Sequence, residues 1–494
     1  MSGKKRILAF DFGASSGRAM LGVFDGEKIE LSELHRFSND PVSLNGTLYW
    51  DTLRLFHEIK QGLIKAKLAG GFDSIGINTW GVDFGLLDSE GVLLESGVNY
   101  RDKRTAGMVD KASSLIPLDE LYKKTGTQIM EINTAFQLLS LKENRPSLLE
   151  RAETMLMTPD LFNYFLTGEK KTEYSIASTT QLVDLEKKDW NRDVIDALGL
   201  PRKLFGEIVP SGAKIGDLSD DLCEELGLPK VPVIAVCGHD TQDAVVSVPT
   251  DQKDFIFVSC GTWSLFGTET DEPIITDKAY KLNLTNEGGY SGTTNILKNI
   301  IGLWLIQESR RQWQREGKNY SFADLEKLAL ESEPFKCFVD PDYPTLTPPG
   351  NLPKRIQKFC EETGQYVPQT VGEIVRCIYE SLSLKYRYAY DQIKELTSKE
   401  YKIINIVGGG TKDGLLCQMT ANSCNTPVSA GPVEATVFGN IAVQLMSDGS
   451  ISDIKTAREI IAKSDNVKTF EPDNEEVKAF EKAYDEFKKI IKIK

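Results

Sequence analysis

The chain lacks most of the features that mark a membrane span, a metal centre or a polyanion partner. No apolar run approaches the ~20 residues needed to cross a bilayer. The basic start MSGKKR is followed by only four apolar residues before Asp11, too few for a signal-peptide core. Both absences point to a cytoplasmic protein. Three histidines, His35, His57 and His239, are too few and too scattered for a zinc site. The eight cysteines form no C-x-x-C pair and read as separate buried thiols rather than a disulfide framework or redox motif. No G-x-x-x-x-G-K-[ST] segment occurs, which excludes a P-loop. With 72 acidic against 58 basic side chains the net charge is -14, and nucleic acid is excluded as a partner because its binding rests on clustered Lys and Arg.

What is present is enough for two sizeable cores. At 494 residues the chain exceeds the ~250–300 at which single cores stop growing, and 40% hydrophobic with 26% charged residues is ordinary for a globular protein. Two segments about 250 residues apart repeat one device: ILAFDFGASSGRAML at 7–21 and FIFVSCGTWSLFG at 255–267. Each is an apolar strand, a tip of small and hydroxyl residues, and a return strand, the signature of a hairpin. A tight tip of this kind presents N–H groups and hydroxyls to an anion. Two such tips suit a phosphate chain, and the acidic balance of the chain makes a metal–nucleotide complex the expected ligand.

Between the hairpins, strand-like and helix-like stretches alternate, which predicts α/β domains. The pattern predicts a polar loop over 39–50, a helix over 52–68, a strand SIGINTW running into Gly81, and mostly helix over 118–150 and 158–166. A buried strand is expected over 229–238, ending at Gly238, and the Pro-containing segment 248–254 is expected to link domains 1–247 and 248–494. The second half predicts helices over 295–314 and 371–396, an extended Pro-rich loop over 341–353, the strand IINIV before Gly408, Gly409 and Gly410, and an amphipathic surface helix in the last twenty residues.

Several residues suit chemistry, and each also has a plainer role. Asp11 ends the first strand, before Gly13, Ala14, Ser15, Ser16, Gly17 and Arg18; it is either a magnesium anchor beside phosphates or an acceptor of turn N–H groups. Arg18 either reaches a phosphate or lies on the surface. Asp240 joins a strand to a helix, as an N-cap, as a general base, or as both. Thr262 in the second tip either meets a transferable phosphate or only shapes the turn. Gly410 follows a strand and lets backbone approach a nucleotide, or serves a turn. Trp80, Asp83 and Phe84 suit a sugar face or the core. Asn299 and Gln307, read on one helix, lie about 12 Å apart along its axis and about 80° around it, so they reach two ends of one elongated site or are exposed polar residues.

Taken together, these segments resemble the FGGY carbohydrate kinases, of the superfamily that includes hexokinase, actin and the heat-shock chaperone ATPases. The resemblance runs from Ile7 to Met446 and rests on HRFSNDPVSLNGTLYWD, SIGINTWGVDFGLLD, NYRDKRT, CGHDTQDAV, SCGTWSLFG, LTNEGGY, LKNIIGLWLIQE, VGGGTKDGLLCQMTANSC and AGPVEATVFGNIAVQLM. INTWGVDF, TNEGGY and LKNIIGLWLIQ are the segments specific to members that act on L-rhamnulose. The resemblance implies two ribonuclease H-like α/β domains with a catalytic cleft between them, Mg2+ and ATP as cofactors, and phosphorylation of the 1-hydroxyl of L-rhamnulose in L-rhamnose catabolism. Another ketose, such as L-fuculose or xylulose, is the alternative. It implies Asp240 as the base, with Gly81, His239, Thr241 and Asn299 at the sugar. On the nucleotide side it implies Ala14, Ser15, Ser16, Gly17, Arg18, Thr262, Gln307 and Gly410, with Asp11 near the metal.

Two departures from the family pattern stand out. Gln242 and Asp243 occupy positions where small residues are usual, one turn into the helix and expected to face away from the sugar. Cys260 replaces the usual Ser at the second tip. From another class, an ATP-switched binding protein of the actin or chaperone type would share the hairpins without needing a sugar base, and GHDT with TWGVDF argues against it. A catalytically silent sugar sensor is the third reading.

Overall fold

The computed structural model describes residues 4–492. Two compact units form. The first gathers the chain up to Asp251 with Glu269–Ile296 and Ala435–Ser464, and the second gathers Gln252–Thr268, Leu297–Glu434 and the chain from Asp465 on. The units are not continuous in sequence, because two later segments return to the first.

The first unit is built on strands β1 (Lys5–Phe12), β2 (Ser16–Phe24), β3 (Ile29–Ser38), β4 (Ser74–Asn78), β5 (Lys214–Asp217) and β6 (Pro232–Ile234), in the order β5-β6-β4-β1-β2-β3. β1 and β2 form the expected antiparallel hairpin, while β1 with β4, and β4 with β6, run parallel. β1 is central and buried on both faces, which explains its unbroken apolar run. Leu8, Phe10 and Phe12 pack on one side with Leu55, Ile59 and Leu63 of the helix Thr52–Leu68. Ile7 and Ala9 pack on the other with Phe438 and Ile441 of the helix Ala435–Ser447. The first of these helices has the predicted bounds, and Asp51 caps it by accepting from the Arg54 N–H at 3.2 Å.

The second unit contains β7 (Ile256–Cys260) and the start of β8 (Trp263–Thr270), the end of β9 (Thr294–Ile301), β10 (Ile404–Val407), β11 (Val428–Ala430) and β12 (Lys468–Phe470). These are consecutive neighbours in the order β9-β8-β7-β10-β11-β12. β7 and β8 are antiparallel, β7 with β10 and β10 with β11 are parallel, and β12 returns antiparallel. From the opposite edge the first sheet reads β3-β2-β1-β4-β6-β5, with β5 antiparallel to β6. The repeated hairpin is thus part of a repeated strand order. The helix Val371–Thr397 starts with a capping box of Thr370 and Glu373 and buries Ile378, Leu382 and Tyr386 in the second core. The helix Asn474–Ile490 buries Phe480 and Phe487, as the amphipathic pattern predicts, and positions 493 and 494 lie outside the described residues.

Four local expectations change. Residues 295–314 are not one helix: Thr294–Ile301 is a strand, Gly302 breaks it, and the helix is Trp304–Arg315. The strand is rich in β-branched residues, Thr294, Ile296, Ile300 and Ile301, which favour a pleated surface. The loop over 39–50 contains a small hairpin, Val42–Leu44 with Thr47–Tyr49. The strand within 229–238 is only Pro232–Ile234. The Pro-rich loop over 341–353 carries a 3-10 turn, Pro344–Leu346, and gives way to a helix at Leu352.

All eight cysteines are free and seven are buried. Cys337, Cys360 and Cys377, distant in sequence, bring their sulfurs within 4.8 Å of one another in the second core, which their spacing concealed. Among the described residues no helix is long and apolar enough to cross a membrane.

Candidate active site

In open α/β sheets, ligands bind beyond the carboxyl ends of the parallel strands. In the first unit those ends lead to Asp11 from β1, to Thr79, Trp80 and Gly81 from β4, and to Gly238, His239 and Asp240 from β6. The last two paths are stitched together: the Thr79 N–H donates to the Gly238 carbonyl, and the Asp240 N–H to the Thr79 carbonyl, both at 2.9 Å. Glu173 clamps the same turn, its Oε2 accepting from the Gly238 N–H at 2.9 Å and from Ser175 Oγ at 2.6 Å.

Asp240 opens the helix Asp240–Val246, but it is not the cap. The N-cap position belongs to His239, whose side chain makes no capping bond. The Asp240 carboxyl, 28% exposed, accepts from Thr241 Oγ at 3.2 Å and lies 3.6 Å from His239 Nε2. Burial pushes its pKa up to about 6; the His239 charge opposes the rise and the Asp11 carboxylate adds to it. A carboxylate held near neutrality suits proton abstraction.

Asp11 faces Arg18 across the hairpin, with Oδ2 2.6 Å from the guanidinium. Arg18 therefore has an acid partner as well as a place at the tip. The tip is braced by the Gly13 N–H, which donates to the Ser16 carbonyl at 2.9 Å, and by Asn39, whose N–H donates to the Ser15 carbonyl at 3.1 Å and Nδ2 to the Gly13 carbonyl at 2.9 Å. Gly17 has no room for a side chain: a Cβ there would lie 2.3 Å from Phe37. Ala14, Ser15 and Ser16 complete the turn. The Asp11 carboxylate adds to the cost of ionising Asp240, a repulsion that a cation at Asp11 relieves, so this hard oxygen donor fits magnesium.

The TWGVDF turn is more buried than a sugar face requires. Asp83 is 1% exposed, and its Oδ2 accepts from Trp50 Nε1 at 2.6 Å, Trp80 Nε1 at 2.9 Å and the Tyr100 N–H at 3.1 Å. Its Oδ1 accepts from Gln137 Nε2 at 3.0 Å. With those bonds made, Asp83 organises the turn from within the core, and Trp80 and Phe84 are buried beside it. Val82 adopts a left-handed φ of 66°, rare for a β-branched residue, held by Thr179 Oγ on its N–H at 3.1 Å and Thr134 Oγ on its carbonyl at 2.6 Å. Gly81 packs against Thr179, where a Cβ would approach to 3.2 Å.

In the second unit the carboxyl ends of β7 and β10 carry Cys260 to Thr262 and Gly408 to Gly410. The Thr262 carbonyl accepts from the Gly302 and Trp304 N–H groups, each at 3.2 Å, and its hydroxyl donates to Gln307 Oε1 at 3.4 Å. The structure thus brings Thr262 and Gln307 together. Asn299 is half-buried on β9, so the helical separation expected between it and Gln307 does not apply. Gly410 is required where it stands, because a Cβ would come 2.2 Å from Cys260 Sγ. Cys260 is buried next to Ser264 and Tyr386, an interior position rather than an exposed tip.

Sequence reasoning missed Glu173, Asn39, Val82 and Glu287. Glu287 lies within TNEGGY, one of the segments on which the resemblance rests, but nothing local marks it as a neighbour of His239.

Comparison with known proteins decides the class. Residues 6–247 match the N-terminal domain, and 256–447 the C-terminal domain, of the FGGY family of carbohydrate kinases. The chain belongs to the FGGY family of carbohydrate kinases. This kinase is 41% identical to a rhamnulokinase of Bacteroides thetaiotaomicron, over 99% of this chain and 100% of that one. It is 43% identical to a rhamnulokinase of Halalkalibacterium halodurans, over 94% and 98%. A ligand-bound xylulose kinase from Lactobacillus acidophilus shares the fold with a TM-score of 0.81 at 16% identity, over 98% and 97% of the two chains. The kinase is therefore a transferase that phosphorylates a sugar with ATP.

Proposed function

We propose that this kinase transfers the γ-phosphoryl group of ATP to the 1-hydroxyl of L-rhamnulose, giving L-rhamnulose 1-phosphate and ADP. The supporting observation is identity of about 40% to rhamnulokinases along nearly the whole chain, joined to a carboxylate whose pKa is pushed up to about 6 at a strand-to-helix turn. Asp240 takes the hydroxyl proton as that oxygen attacks phosphorus. Gly81, His239, Thr241 and Asn299 hold the ketose. The tip of Ala14, Ser15, Ser16, Gly17 and Arg18, with Thr262, Gln307 and Gly410, holds the nucleotide. Phosphoryl transfer depends on positioning and on stabilising charge on the equatorial oxygens, which tip N–H groups, hydroxyls and Arg18 supply. Asp11 would hold magnesium, which when bound neutralises phosphate charge. Eight free thiols fit a reducing cytoplasm.

The test is ADP formation with Mg-ATP against L-rhamnulose, L-fuculose, D-xylulose, L-xylulose and glycerol, with a no-sugar control. A kcat/KM for L-rhamnulose about 100-fold above the others is expected, since a site built to pair a given hydroxyl rejects mismatched analogues strongly. Equal rates on several ketoses would remove the narrow specificity, and turnover independent of sugar would favour the ATP-switch reading.

Thr262→Ala tests the second tip. Loss of one hydroxyl on a charged phosphate costs about 1.5–3 kcal/mol, so kcat/KM for ATP falls about 10- to 100-fold while the KM for sugar holds. Unchanged ATP kinetics would remove Thr262 from the phosphate site.

A further inference from the structure

Gln242, the departure from the small residues usual after the base, is fully buried and engaged at both ends of its amide. Its Oε1 accepts from Asn295 Nδ2, and its Nε2 donates to Glu287 Oε2 at 2.8 Å. The same Glu287 oxygen lies 3.0 Å from His239 Nδ1, and the far side of that ring, Nε2, lies 3.6 Å from Asp240 Oδ1. Asn295, Gln242, Glu287, His239 and Asp240 therefore form one chain of polar contacts, ending at the proposed base.

Each link has a directional consequence. An ionised carboxylate only accepts, and His239 Nδ1 is buried at ion-pair distance from Glu287 with no aligned hydrogen bond to any group among the described residues, so the approach is favourable when Nδ1 carries a proton. That fixes the ring orientation and directs Nε2 toward Asp240. Glu287 is 6% exposed, and burying a carboxylate is costly unless it is paired. A neutral glutamine would satisfy the Gln242 amide at lower cost, so the retained charge points to the histidine. The carboxylates facing the ring are Glu287 from the strand Thr285–Gly288, Asp240 from its own helix, and Glu173 from the strand Thr172–Glu173. Burial, which lowers the pKa of His239, is outweighed by these three, and the net direction is upward.

We propose that Glu287, held by Gln242 and Asn295, is a positioning residue for the reaction: it fixes the Nδ1–H form of His239 and so sets the face that His239 presents beside Asp240. This extends the kinase reading and rests on Asp240 being the base of that reaction.

The experiment exploits the scarcity of histidine. With only three in the chain, 15N-histidine labelling gives three ring systems, and His239→Gln identifies the one of interest. The wild-type ring is expected to carry its proton on Nδ1 throughout the titration. In Glu287→Gln the ring titrates about one pH unit lower, and kcat with the preferred ketose falls about 10-fold or more with the KM for ATP unchanged. Glu287→Asp, which keeps the charge, recovers part of the loss. A wild-type neutral ring protonated on Nε2 alone would overturn the proposal, and that result needs no variant to fold. So would Glu287→Gln with an unaltered titration, or with an altered titration and wild-type turnover. A wild type that phosphorylates no ketose yet shows the Nδ1–H ring would overturn the kinase reading while leaving the Glu287–His239 pairing in place.

Discussion

Asp240→Asn is expected to slow ketose-dependent ADP formation at least about 100-fold while leaving the affinities for ketose and ATP near wild type, the loss typical of a removed general base. The substitution keeps the shape of the side chain but cannot take a proton. The same variant is expected to be at least as stable as the wild type. The folded-state pKa of about 6 lies above the ~3.9 of an unfolded aspartate. Between those values the folded state binds the proton more strongly, so the contribution of Asp240 to stability falls as pH rises from about 4 to about 6 and remains a penalty above that. Asparagine removes a penalty of roughly 1–3 kcal/mol at pH 7.5, and Tm rises or holds. A helix-capping aspartate would give the opposite result, a loss of about 1 kcal/mol. The wild-type profile of kcat/KM should fall on its acid side with an apparent pKa near 6. Near-wild-type turnover of Asp240→Asn would withdraw the base assignment, and a lowered Tm would withdraw the account of its burial.

Gly439→Ala is expected to destabilise the protein by about 3 kcal/mol or more and to reduce turnover with it, read by denaturant titration and by kcat on the fraction that remains folded. Gly439 lies in the helix Ala435–Ser447, which passes directly over the helix that Asp240 begins. A Cβ at 439 would lie 1.8 Å from the Asp243 carbonyl oxygen and 2.5 Å from its carbon. This obstacle is backbone, so no rotamer change relieves it. Asp243 is itself fixed, with Oδ2 accepting from Asn78 Nδ2 at 2.6 Å and Oδ1 from the Cys237 N–H at 3.2 Å. The helix can yield only by moving as a body, taking Asp240 away from the turn that holds it. Full stability in Gly439→Ala would mean that these helices pack more loosely than the structure describes.

The parts legible in the sequence are those decided within a few residues of themselves. The two hairpins follow from apolar alternation around small tips, the helix Thr52–Leu68 from its apolar period and Asp51 cap, and the position of Asp240 from an apolar stretch that gives way at Gly238 to a helix pattern. The sequence over 294–301 suits a helix as well as a strand, because its apolar side chains Ile296, Leu297, Ile300 and Ile301 recur in a spacing that either element tolerates, and only pairing within the sheet settles it. Cys260 shows the same limit: its place in the sequence marks a hairpin tip, and only packing against Ser264 and Tyr386 makes it interior.

By itself the sequence determined that this chain forms α/β units with paired phosphate-type hairpins, and its motifs carried the resemblance to carbohydrate kinases, because turn chemistry and periodicity are local and glycine, serine and aspartate have few substitutes at such turns. Only the tertiary structure decided that 435–464 covers the first sheet, that Asp83 spends its carboxylate on Trp50, Trp80, Tyr100 and Gln137, that Glu287 stands against His239, and that Asp240 holds its proton more tightly than an exposed aspartate. Each of these depends on burial and on partners far away along the chain. Desolvation and charge pairing are set by the surroundings of a group, and those surroundings exist only once the chain has folded.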